Sequence, residues 1–254
     1  MTDMNSMRTR VDVVFPALHR LEREWVADLL SLATHGHPSA LLAAQRCRLE
    51  PRTKEVTWGA QERSLPAPVS LLEWLIRQLE VPPRGWPAMS DDARRFREAL
   101  VSRDSVVIED ALRRLRENPS VAKGWWILEG HSRPDAYLET PDAIIVVEGK
   151  RTELGPTTHT EYMTGRHQLL RHMDAAWDSR GLKKVFGLFI VEGESNGDVP
   201  LLWRDAAHAT WGNAAIETSL PHRSPGERSA IAAGVLGATT WQAVVRRFGL
   251  EPAL

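Results

Sequence analysis

Ala143 to Val147 form an unbroken apolar run that follows the turn signal Thr140-Pro141-Asp142 and leads straight into Glu148-Gly149-Lys150. That run constrains the fold more than anything else in the chain. A half-buried strand alternates apolar and polar residues, whereas a short continuous run rich in β-branched side chains marks a strand covered on both faces. The chain is therefore expected to be α/β, with helices on both sides of a central sheet. Proline at the first central position of a turn supplies a fixed φ, so Arg133–Glu139 reads as the partner strand of a hairpin.

The register of that hairpin can be worked out from the turn. With Pro141 and Asp142 at the turn centre, Glu139 pairs with Ile144, and counting outward sets Asp135 opposite Glu148. Directly opposed residues share a face, with Cβ atoms about 4.5–5.5 Å apart. Lys150, two residues beyond Glu148, joins the same face. The rival aspartate, Asp142, lies about 20 Å along the strand from Glu148 at roughly 3.3 Å per residue, and is read as a turn residue. Two opposed carboxylates repel, and a divalent cation between them is the simplest remedy. A pairing of Glu148 with Lys150 or Arg133 at a strand end is the plainer alternative.

Downstream, helical spacing over Thr160–Asp178 gathers Leu169, Leu170, Met173, Ala176 and Trp177 on one arc, with Met163 at its edge. His167, Gln168, Arg171, His172, Asp174 and Asp178 occupy the other. Arg166 points with the apolar side. Two readings of it stand: a side chain that snorkels from the helix end, or a guanidinium that reaches a phosphate. Upstream, Trp125, Ile127 and Glu129 share a face. A three-residue loop, Gly130-His131-Ser132, would set Glu129 opposite Arg133, as a salt bridge or as a supporting contact to a metal or water.

Pro134-Asp135 followed by Glu148-Gly149-Lys150 resembles the signature of the PD-(D/E)XK nuclease superfamily. The resemblance covers about ninety residues in the middle of the chain and implies a restriction-endonuclease-like αβββαβ core with a mixed central sheet flanked by helices. Its elements would be a helix over Asp104–Glu117, strands over Gly124–Glu129, Arg133–Glu139 and Ala143–Thr152, a helix over Thr160–Asp178 and a strand over Lys183–Glu192. The resemblance further implies that Asp135, Glu148 and the carbonyl of Gly149 hold Mg²⁺ or Mn²⁺. Lys150 would orient a water or stabilise charge on the phosphate, and Gln168 would assist. Glu109, Asp110 and Glu117 are all candidates for the acid that such cores often take from the first helix. The implied activity is hydrolysis of phosphodiester bonds in nucleic acid, DNA rather than RNA, with a homodimer or larger complex left open. The alternative is a nuclease-like fold that only binds nucleic acid or a protein.

Composition sets the outer bounds. The chain has 254 residues, 43% of them hydrophobic, which is enough for one sizeable core. Its single cysteine, Cys47, forbids an internal disulfide and argues against a zinc-thiolate cluster, so a cytoplasmic location is expected. No membrane span and no signal-peptide pattern are found. A net charge of −1 gives no global attraction to nucleic acid, although basic residues from Lys150 to Lys184 cluster around the candidate site. His35-Gly36-His37 lacks partners at zinc spacing and reads as a surface loop. Residues 1–100 and 196–254 are read as helical flanks of a core at 101–195. The expected helices are Val11–Thr34, Pro38–Leu49, Ser70–Glu80, one from Ser90, Leu201–Trp211, and Ser224–Phe248 broken near Gly234 or Gly237. Thr239-Thr240-Trp241 would cap a new helix within the last of these, giving a helical hairpin. The ten tryptophans are read as core before they are read as stacking surfaces.

Overall fold

The computed structural model describes residues 5–21, 25–50 and 56–250, with the backbone alone for residues 5–9 and Ala60. Elements in chain order are α1 (Asn5–His19), α2 (Trp25–Ser31), β1 (Thr34–His35), α3 (Ala40–Gln45), β2 (Val56–Trp58), α4 (Val69–Gln78), α5 (Asp91–Val101) and α6 (Ser105–Glu117). They continue with β3 (Ala136–Glu139), β4 (Ala143–Gly149), α7 (Gln168–Ser179), β5 (Lys184–Val191), α8 (Leu201–Thr210), α9 (Asn213–Ser219), α10 (Pro225–Ala232), β6 (Val235–Thr240) and α11 (Trp241–Phe248). The expected helix over Val11–Thr34 becomes α1 and α2, and Glu22–Glu24 between them lie outside the described residues.

A six-stranded mixed sheet runs β1-β6-β5-β4-β3-β2. β4, β5 and β6 are parallel, while β3, β2 and β1 join antiparallel. Every residue of β4 is buried, as its apolar run requires. Ala143, Ile145 and Val147 face a cluster built with α1, α2, α3 and α11. Ile144 and Val146 face the opposite cluster, built with α7, α8, α9 and α10. Helices α4, α5 and α6 close over a third cluster that takes in Ile127, Leu128 and Met163.

The hairpin pairs Glu139 with Ile144 and Ala136 with Val147, which is the register worked out from the turn. Sequence-based caps also hold. Ser90 accepts from the amide of Ala93 and Thr240 from that of Ala243, and Asp104, read as the first residue of a helix, instead caps α6 by accepting from Val106 and Val107, each worth about 1 kcal/mol.

Three expectations are corrected. Gly124–Glu129 is not a strand: Trp125 stacks on Phe96 and the segment packs under the helical layer, so the third antiparallel strand is β2, from the N-terminal flank. The C-terminal flank is not wholly helical, because Val235–Thr240 forms β6 and inserts beside β5. This removes the helical hairpin. The second core helix starts at Gln168 rather than Thr160, since Thr160 to Met163 turn back on themselves within a small hairpin bridged between His159 and Thr164.

Candidate active site

Face alternation brings the site together. Val146 on β4 points to the α7 side, so Glu148, two residues on, projects to that side, followed by Lys150, while Asp135 in the bend before β3 reaches the Gly149 backbone. Gly187, paired with Val146, lets α7 come close. A Cβ there would lie 2.5 Å from Met173 Sδ and 3.0 Å from Leu169 Cγ. The close approach lays one face of α7 over the end of β4. Gln168 and His172, four residues apart and therefore on one face of the helix, both reach Glu148.

Glu148 is buried and held from three sides. Its Oε1 lies 2.9 Å from Lys150 Nζ and accepts a hydrogen bond from Gln168 Nε2 at 2.6 Å. Its Oε2 lies 2.9 Å from His172 Nε2, off hydrogen-bond alignment, so both atoms are buried without a hydrogen bond among the described residues. His172 Nδ1 shares a 2.6 Å hydrogen bond with Ser132 Oγ, which fixes the ring. Burial alone would raise the Glu148 carboxyl. His172 and Lys150 outweigh it and hold Glu148 below the ordinary range. Lys150 is also largely buried. Burial would lower its pKa, and Glu148 more than reverses that, so Lys150 stays charged.

Asp135 sits just before β3 and accepts the Gly149 N–H through Oδ2 at 2.7 Å. Burial first, then the Glu148 charge, push its carboxyl up to about 7. Gly149 has no room for a side chain, since a Cβ would lie 2.9 Å from Trp241 Cζ2. The Trp241 indole N–H donates to the Lys150 carbonyl at 3.2 Å, pinning the strand end from the opposite face.

Other sequence candidates fall elsewhere. Arg166 neither snorkels nor reaches toward solvent. It is fully buried, with Nη2 at 2.8 Å from both Glu129 Oε1 and Asp174 Oδ2 and Nη1 donating to the Ser219 carbonyl at 2.7 Å. Glu129 is correspondingly bound to Arg166 and not to Arg133, which is exposed. Asp174 also takes Arg223 Nε at 2.7 Å. This closed cluster ties α7, α9 and the segment before β3 together and so sets where α7 begins. On α6, Asp110 pairs with Arg113 and Arg114, and Glu117 with Arg113, so neither turns to Asp135. Glu109 is exposed on the same helix. The further acid acting on Asp135 is instead Glu62, beside the turn that follows β2. Asp142 is bound by Arg48, with Nη2 to Oδ1 at 2.8 Å and Nε to Oδ2 at 3.0 Å, in keeping with a turn role. His172 is the participant missed in the sequence; its i, i+4 relation to Gln168 was the available signal.

Chemically, the arrangement offers two neighbouring carboxyl groups, a fixed ammonium group and an amide at the C-terminal edge of the parallel strands, where α/β sheets commonly bind ligands. Comparisons with family models, with curated proteins and with solved structures find no match. The fold and site define an α/β chain with a six-stranded mixed sheet flanked by helices. Among the described residues no helix is long and apolar enough to cross a membrane.

Proposed function

We propose that the chain is a metal-dependent nuclease of the PD-(D/E)XK kind that hydrolyses phosphodiester bonds in DNA. The observation that carries this reading is an Asp135 carboxyl close enough to buried Glu148 to be raised by its charge, with Lys150 Nζ 2.9 Å from Glu148 Oε1. Among the described residues no group of three or more histidine, cysteine or acidic side chains is placed to hold an ion. A pair of carboxylates nevertheless suits Mg²⁺, which keeps several waters and commonly takes only one or two carboxylates. The raised Asp135 carboxyl beside Glu148 fits a cation in that position. Asp135, Glu148 and the Gly149 carbonyl would hold Mg²⁺ or Mn²⁺.

When bound, the ion supplies Lewis-acid polarisation of the scissile phosphate. Lys150 Nζ, kept charged by Glu148, orients the attacking water or stabilises charge on the phosphate oxygens. Gln168 holds Glu148 Oε1, and His172, braced by Ser132, lies against Oε2. A cytoplasmic location and a homodimer or larger complex belong to the same reading. A second reading, a catalytically silent module that binds nucleic acid or a protein, draws support from the lack of a three-donor group among the described residues.

The two separate on incubation of the chain and its Lys150→Ala variant with duplex DNA, single-stranded DNA and RNA in Mg²⁺, Mn²⁺ or EDTA. The nuclease reading expects cleavage that needs the ion and is lost in the variant. Cleavage undiminished in Lys150→Ala would remove the assignment. Binding with no cleavage of any substrate would favour the silent module.

A further inference from the structure

A cavity of about 720 Å³ opens between two loops, Pro82–Pro87 and Thr158–Gly165. That volume is typical of small-ligand sites. One wall is a proline-rich turn closed by the Gly85 amide on the Pro82 carbonyl at 2.8 Å, which presents Arg84 and Trp86. Trp86 is half-buried and anchored on the helical cluster beneath α4 and α6. Phe96 stacks on Trp125, but no ring pairs with Trp86 among the described residues. Arg84 is exposed and has no ion pair or hydrogen bond among them.

The other wall belongs to the segment that joins Lys150 to Gln168. Its Thr157 carbonyl accepts the Gln168 amide at 2.8 Å, and Gln168 in turn holds Glu148. The wall and the candidate active site are thus parts of one continuous strip of chain. On this wall Thr160 Oγ1 is without a hydrogen-bond partner among the described residues.

We propose that this cavity takes one unpaired nucleotide of the substrate strand, with its base stacked on Trp86 and its phosphate on Arg84. A half-buried indole is a sequence-tolerant platform for a base, and an unpaired arginine suits a phosphate. A base inside a duplex is stacked on both faces and paired along one edge, so only a flipped-out or single-stranded nucleotide enters a walled cavity. The inference rests on the nuclease reading for its substrate, and it narrows that substrate to DNA with unpaired nucleotides.

The test is made in EDTA, so that binding is read without cleavage. A labelled short oligodeoxythymidylate is titrated into the full chain and its variants, with fluorescence anisotropy as the readout. Trp86→Ala is expected to weaken binding about tenfold, as loss of one stacked base does. Trp86→Phe, which keeps an aromatic face, is expected to stay near the unaltered chain and so reports on stacking if Trp86→Ala fails to fold. Arg84→Ala is expected to lower the salt dependence by about one phosphate contact. A blunt duplex of the same length is expected to compete poorly. Unchanged affinity in Trp86→Ala, loss in Trp86→Phe equal to that of Trp86→Ala, equal competition by the duplex, or no binding of the oligonucleotide would overturn the proposal. None of these outcomes bears on metal-dependent cleavage, and failure of cleavage leaves the binding result standing.

Discussion

The two ends of one hairpin carry the same dipeptide, Pro134-Asp135 and Pro141-Asp142, in opposite electrostatic states. At the turn, Arg48 grips Asp142 with two guanidinium contacts and its own amide, and these hydrogen bonds push the carboxyl down to about 2. At the open end, no basic side chain hydrogen-bonds Asp135 among the described residues. Burial and Glu148 push its carboxyl up to about 7. A carboxyl that burial and a neighbouring carboxylate raise, with no basic side chain bonded to it, gains its charge readily when a cation arrives. The dipeptide itself carries none of that difference; the register does.

The largest expected effect breaks the comparison at its centre. Asp135→Ala should cut metal-dependent cleavage by a factor of about 10² or more, as loss of a transition-state contact does, while Asp142→Ala should leave the rate nearly unchanged. Initial rates on a DNA substrate measure both, and a large loss in Asp142→Ala would mean that the wrong aspartate has been assigned. Next in size, the closed cluster around Arg166 sharpens the contrast between a satisfied and an unsatisfied set of charges. Arg166→Met strips buried Glu129 of its direct ion pair, leaving it only Arg171 at 3.6 Å, and leaves Asp174 to Arg223, and should cost about 3–5 kcal/mol in urea unfolding.

A smaller effect concerns pH. The Asp135 carboxyl is raised in the fold, so between about pH 4 and pH 7 the folded chain binds more protons than the unfolded one. Stability contributed at this position is therefore full below that window and falls as pH rises through it. In EDTA, Asp135→Asn should be more stable than the unaltered chain at pH 8, on the order of 2 kcal/mol, with the difference vanishing below pH 4. Thermal melts across that range check it, and an equal difference at all pH values would contradict it. Smallest, Ser132→Ala leaves His172 Nδ1 without its partner and should cost about 1 kcal/mol with water taking the place of the hydroxyl.

The hairpin was legible because Pro141 sets the turn and the apolar run of β4 leaves one face assignment once the register is counted. Gln168 was legible from the resemblance, and His172 was hidden because it is one of six polar side chains on the same arc of the helix and nothing local beyond its spacing from Gln168 marks it out. Arg166 was misread for a different reason. Its partners Glu129 and Asp174 lie far apart in sequence, and only the tertiary fold brings them together. β6 was read as helix because Gly237 and its two threonines interrupt the apolar pattern, and its pairing with β5 is long-range. Trp125 and Ile127 alternate like a strand, yet their aromatic and apolar bulk is taken up by α5 and the helical layer instead.

The central claim is that the pair Asp135 and Glu148 holds a divalent cation. Isothermal titration of Mn²⁺ into the unaltered chain, Glu148→Ala and Asp142→Ala tests it most directly. The account expects saturable binding in the unaltered chain, the same binding in Asp142→Ala, and its loss in Glu148→Ala. Binding retained in Glu148→Ala, or no binding to the unaltered chain, would contradict it.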